Sequence, residues 1–245
     1  MIEIKKREIE ARVYFAMKAA IKGYSACICK KNSLIEYSDY LEKGVVILKS
    51  IGPRNRAMID TMNNSGHVTC AWDEEGMTFI EDEYNDKRID QGNLERLKFF
   101  FTWGDSDKKI LDDFHPNLKN KIFKTGNSRI DVLKKPFNQF YFSQADKIVQ
   151  KYGKFILFPT VFTQHNPSNV YNLGYVDALL KQGFKPGSPS IEIGKKQVEQ
   201  QKKILDYVKV FFKKFSEECP DQKLIIRPHP SEKIEYWFDL IKNNK

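Results

Sequence analysis

Three adjacent carboxylates, Asp73, Glu74 and Glu75, stand directly before Gly76 in this chain. Carboxylates this close repel one another, which raises the proton affinity of one and suits it to work as a general base. Gly76 supplies the tight turn that would aim them. Spacing alone leaves open which of the three is the base. It also leaves the alternative of a solvated acidic loop, because Glu81, Asp82 and Glu83 follow closely. A second group is Arg227-Pro228-His229-Pro230-Ser231. Its prolines stiffen the backbone, while Arg227, His229 and Ser231 offer charge and donors to an anion such as a nucleotide phosphate. The bland alternative is a proline-capped helix start carrying a surface imidazole. In the turn Thr125 to Asp131, Gly126, Asn127 and Arg129 are candidate phosphate contacts, although N-terminal capping of a helix explains the same residues. Gln164, His165 and Asn166 form a polar loop, read either as acceptor or cleft contacts or as ordinary surface.

These loops need elements to hold them. Tyr24–Lys30, Gly44–Ile51, His67–Trp72, Phe99–Trp103 and Lys121–Thr125 are short runs rich in branched or aromatic residues and read as strands. Helical patterns run over Glu8–Lys22, Arg54–Asn63 and Ser106–Phe114. Near-continuous apolar strands alternating with helices predict a parallel sheet covered on both faces. Pro136–Gln150 reads as a crossing or hinge helix, and a second series follows: strands Lys154–Pro159 and Lys223–Arg227, a long helix Ile193–Glu218, and helix Glu232–Lys242. The expectation is α/β architecture with domains 1–136 and 137–245, the second truncated because two strands make an incomplete parallel domain. On the long helix, Val198, Leu205, Val208, Phe212 and Phe215 return to one side among seven lysines. That stripe is either a packing face or a membrane-docking face.

Composition narrows the classes. The 245 residues carry 41 Lys+Arg against 32 Asp+Glu, a net charge of +9, with 13% aromatic content. Such a chain is neither disordered nor collagen-like. No apolar run reaches the ~18 residues of a membrane span. Glu8, Glu10 and Arg12 interrupt what would be the apolar core of a signal peptide, so a cytoplasmic protein is expected. Cys27, Cys29, Cys70 and Cys219 lack CxxC spacing, and the four histidines lack HxH or HExxH spacing, so neither a disulfide scaffold nor a metal is expected. The positive charge favours anionic partners without selecting one, and no nucleic-acid-binding motif is present.

In order and spacing the motifs resemble a known group. Glu74-Glu75-Gly76 resembles the [DE]-[DE]-G motif, and His229-Pro230 the HP motif, of bacterial sialyltransferases and related CMP-sugar-dependent glycosyltransferases. With Lys6-Arg7-Glu8, Ala11-Arg12, Gly23-Tyr24, Ile51-Gly52-Pro53, Trp103-Gly104 and the Gly126–Asp131 turn, the chain is similar to the surface carbohydrate (capsule or lipopolysaccharide) biosynthesis protein family. The resemblance implies a GT-B-like fold of two Rossmann-like domains facing a cleft. It implies inverting, metal-independent sugar transfer, with Glu74 as general base and His229 at the departing nucleotide phosphate. The implied partners are a nucleotide-sugar donor, CMP-linked, and a glycan or lipid-linked glycan acceptor, with peripheral contact on the cytoplasmic membrane face and no cofactor. Members of that group continue well past the HP motif, whereas this chain ends fifteen residues after Pro230, so an incomplete or inactive fragment is also expected. Two other readings stand beside it. One is a nucleotide-sugar 2-epimerase of the same architecture, suggested by Thr125-Gly126-Asn127 with Asp131. The other is a non-catalytic basic module binding membrane or polysaccharide.

Overall fold

Branched and aromatic runs pair as strands in the computed structural model, which describes residues 1–74 and 88–242. Two compact units divide the chain, Met1–Ser143 and Gln144–Lys245. The sequence places that boundary at 136/137.

The first unit opens with helices α1 (Lys5–Ile21) and α2 (Lys31–Glu36). Strands β1 (Val45–Leu48), β2 (Val68–Trp72), β3 (Phe99–Thr102) and β4 (Ile122–Lys124) then form a wholly parallel sheet in the order β1-β2-β3-β4. Between them lie α3 (Arg56–Asn64), α4 (Gln91–Arg96) and α5 (Asp105–Phe114). The register aligns Leu48 with Ala71, Ala71 with Phe100 and Phe100 with Ile122. Residues aligned in this way share a sheet face. All four are buried, and Leu34, Met58, Ile59, Met62, Leu94, Ile110 and Leu111 close over them from α2 to α5. On the opposite face Trp72 aligns with Phe101, and Phe15 of α1 meets the Trp72 ring edge-on at 5.1 Å. Cover on that side is thinner, and Phe123 remains 44% exposed.

The expected strand Tyr24–Lys30 does not form. Its residues take no regular structure before Lys30, which forms one parallel bridge with Ile2. Tyr24 is 70% exposed, so the stretch lacks the apolar cover that would make strand pairing favourable.

The turn after β4 ends in α6 (Ser128–Asp131), a four-residue helix. Next comes α7 (Phe142–Tyr152), which spans the division between units. The second unit holds β5 (Ile156–Pro159), α8 (Tyr175–Lys181), α9 (Pro189–Glu218), β6 (Leu224–Arg227) and α10 (Ile234–Lys242). β5 and β6 pair in parallel, from Ile156 with Leu224 to Pro159 with Arg227. The stripe on α9 is a packing face. Leu205 is fully buried, and Val208 and Phe212 pack with it against Phe162, Ile226 and Trp237. At Gly194 a side chain would stand 3.2 Å from Leu179 of α8, so glycine permits the close approach of the two helices. Among the described residues, no helix is long and apolar enough to cross a membrane.

Candidate functional site

In open parallel sheets, ligands gather beyond the carboxyl ends of the strands. Both candidate loops lie there, one in each unit.

In the first unit, Asp73 and Glu74 follow β2 directly and are buried, at 2% and 4% exposure. Their backbone is held from both sides. The Glu74 amide donates to the Lys49 carbonyl beyond β1 at 3.0 Å, and Trp103 Nε1 beyond β3 donates to the Asp73 carbonyl. Both oxygens of Asp73 face the Arg88 fork, with Nε donating to Oδ2 at 2.9 Å and Nη2 to Oδ1. Glu74 is arranged differently. Oε1 accepts from Nη2 of Arg12, whose guanidinium also lies 5.6 Å from the Trp72 ring centre. Oε2 lies 3.9 Å from Arg129 Nη1 and has no hydrogen-bond partner among the described residues. Glu75 and Gly76 lie outside the described residues.

The Gly126 turn packs onto this carboxylate. Gly126 has φ +75°, a left-handed conformation that favours glycine and reverses the chain after β4. Asn127 Oδ1 accepts from the Arg129 amide at 3.0 Å, the capping role open to it from sequence. Arg129 Nη1 donates to the Glu74 carbonyl at 2.7 Å, and Trp72 Nε1 donates to Thr125 Oγ1 at 3.2 Å. Of the residues expected around a phosphate, Arg129 meets Glu74, Asn127 caps the following helix and Gly126 makes the turn. Nearby, Glu8 is buried on α1. Burial pushes its carboxyl up, but the Glu3 amide, Arg7 and Lys49 outweigh this and hold it below the usual range. Sequence reasoning missed the roles of Glu8, Arg12, Lys49 and Arg88 as partners. Glu8 and Arg12 enter the sequence reading only within motifs of the resemblance, with no partner assigned, and Arg12 stands 62 residues from Glu74.

In the second unit, Arg227 ends β6, and it is exposed, as are His229 and Ser231. The loop turns on a residue the sequence reading passed over. Buried Glu232 accepts from the His229 amide at 3.0 Å and Thr160 Oγ1 at 2.9 Å through Oε1, and from Trp237 Nε1 at 3.0 Å through Oε2. This carboxylate ties the loop after β6 to the loop after β5 and to α10. The Ser231 amide donates to His229 Nδ1 at 3.1 Å. An imidazole that accepts at Nδ1 carries its proton on Nε2, which is then the donor. His229 and Ser231 line a cavity of about 270 Å³ with Thr163, Ser168, Asn169 and Tyr175.

Gln164, His165 and Asn166 have largely structural partners. Gln201 Oε1 on α9 accepts from the Gln164 and His165 amides at 2.9 and 3.0 Å, and Asn166 Nδ2 donates to the Lys233 carbonyl at 2.9 Å. Burial, reinforced by Lys209 and Lys202 and opposed by Asp206, lowers the His165 pKa below 6.5. Comparison of the chain with family models and with curated proteins finds no match.

Proposed function

We propose that this chain is a glycosyltransferase-like protein of surface polysaccharide synthesis, GT-B-like, with acceptor chemistry in the first unit and donor chemistry in the second. The observation that carries the reading is the hydrogen bond from the Ser231 amide to His229 Nδ1, which leaves Nε2 to donate beside a cavity. A donor at that place suits a departing phosphate oxygen, whose charge grows as the bond to sugar breaks. In the reaction, an acceptor hydroxyl gives its proton to Glu74 and its oxygen bonds to the anomeric carbon. The bond from that carbon to the nucleotide phosphate breaks, and its electron pair leaves on the phosphate oxygen, met by His229. Arg227 adds positive charge at the same strand end. The donor class is a nucleotide-sugar, CMP-linked, and the acceptor a glycan or lipid-linked glycan. Burial of the apolar stripe of α9 supports a covering helix over a membrane-docking module.

Calorimetry with CMP, CDP and UDP tests this reading. The expected result is preference for the cytidine nucleotides, weakened about tenfold or more by His229→Ala, the scale for losing a hydrogen bond to a charged group. Absence of binding to all three nucleotides overturns it.

A further inference from the structure

α9 carries more than one apolar line. Leu205, Val208 and Phe212 pack against Phe162, Ile226 and Trp237. A second line, Ile193, Gln197, Gln200, Ile204, Tyr207 and Phe211, advances by four and three residues in turn and so keeps to one side of the helix. All six are exposed, Tyr207 at 77%, Ile193 at 55%, Ile204 at 46% and Phe211 at 44%, and none is charged. The line is about 27 Å long at the rise of an α-helix. Phe211 joins it to β5 by stacking on Phe158, with ring centres 5.8 Å apart. Exposed apolar side chains are ordinary when scattered singly, but a continuous row of them marks a contact surface. The charges beside this row are sorted. Lys196, Lys203 and Lys214, all exposed, each follow one of its members by three residues and border it on the side away from the packing face. Glu192, Glu199 and Asp206 lie further round the helix. From there Glu199 reaches Lys203 at 2.8 Å, in a pair too open to water to hold the ammonium against a stronger anion.

We infer that this side of α9 docks on an anionic lipid surface. Ile193, Ile204, Tyr207 and Phe211 enter the boundary between headgroups and acyl chains, and Lys196, Lys203 and Lys214 meet the lipid phosphates. A helix lying in the interface needs an uncharged row at the depth of the chains and lysines at its border, whose long stems let the ammonium groups reach the headgroups. Both are present, and the acidic side chains stand further from the bilayer than the lysines do. A second copy of the chain fits the row less well, because two such helices packed across it bring two lysine rows to one seam. Core packing and lipid docking use different sides of α9. Neither involves Glu74 or His229, so docking is compatible with chemistry elsewhere on the chain and stands without it.

Cosedimentation of the full chain with vesicles tests the surface, using phosphatidylcholine alone and phosphatidylcholine mixed with phosphatidylglycerol. The wild type should bind the mixed vesicles, bind the neutral ones about tenfold more weakly or less, and be released as salt rises. Lys196→Gln, Lys203→Gln and Lys214→Gln should each weaken binding about fivefold. Ile204→Ser with Tyr207→Ser should weaken it about tenfold or more. Both of those side chains are exposed, so the melting temperature of the free protein should not fall, which separates lost docking from lost folding. Tyr207→Trp, an exposed aromatic exchanged for another, should shift its fluorescence to the blue when mixed vesicles are added and not when neutral ones are. A wild type that binds neither kind of vesicle overturns the inference, as does equal binding to both or binding that survives the lysine and the serine substitutions. Sedimentation without lipid covers the other occupant. A dimer that Ile204→Ser dissociates assigns the row to a second copy and overturns lipid docking.

Discussion

Burial turns the Arg12–Glu74 contact into more than a surface ion pair. Both side chains are nearly closed off, at 6% and 4% exposure, so each relies on the other in place of water. Arg12→Ala should therefore lower the unfolding free energy by about 3 kcal/mol in urea titration. Replacing both residues together, Arg12→Met with Glu74→Leu, should recover much of that loss, because the unpaired charge goes too. An equal loss in the double variant would show that packing over Trp72 is the dominant contribution of Arg12. His165 makes a different statement, about pH. Its folded-state pKa lies below 6.5, so the fold prefers the neutral ring. The associated stability is fully present above pH 6.5 and is lost as the pH falls through the lowered value. His165→Gln should flatten the decline in melting temperature as the pH falls below 6.5, and an unchanged slope would refute it. The sequence marks Glu74 and His229 as candidates but not the residues that hold them. Arg12 and Glu232 act through tertiary packing, and nothing in local spacing distinguishes them from other charged residues.

At the level of elements, strand and helix types were legible wherever period and burial agree. β1 to β6 each fall inside an expected run, and the α9 stripe faces its core as the 3.6-residue period requires. Tyr24–Lys30 failed because strand propensity reports what fits on a half-buried pleat, and no such surface receives this stretch. Helices α2, α4 and α8 escaped notice because six or seven residues carry too little periodicity. The two faces of α9 can be separated by substitution. Leu205→Ala should cost about 2–5 kcal/mol, since a fully buried side chain leaves a cavity. Lys202→Gln, on an exposed position, should stay within about 0.5 kcal/mol. Equal effects in denaturant titration would contradict the packing assignment.

Across the whole molecule, the two units differ in how much they bury. Among the described residues, fifteen buried ones form the core cluster of the first, against three in the second, so their stabilities should differ. Amides of β5 and β6 should exchange with deuterium before those of β1 to β4, and heat or denaturant should give two transitions rather than one. A single transition with uniform protection would show the units unfolding as one. The change of rhythm after the first sheet is where the sequence leads one to expect a second domain, whereas the small core of the second unit depends on which residues of α9 and α10 meet. The strand order of the first sheet has a consequence for synthesis. Every strand there adds beside its immediate predecessor in the chain, and none must wait for a later strand to be inserted between earlier ones. The growing polypeptide can therefore build this sheet sequentially as it leaves the ribosome, and the Arg12–Glu74 contact has both its residues available before the second unit is made.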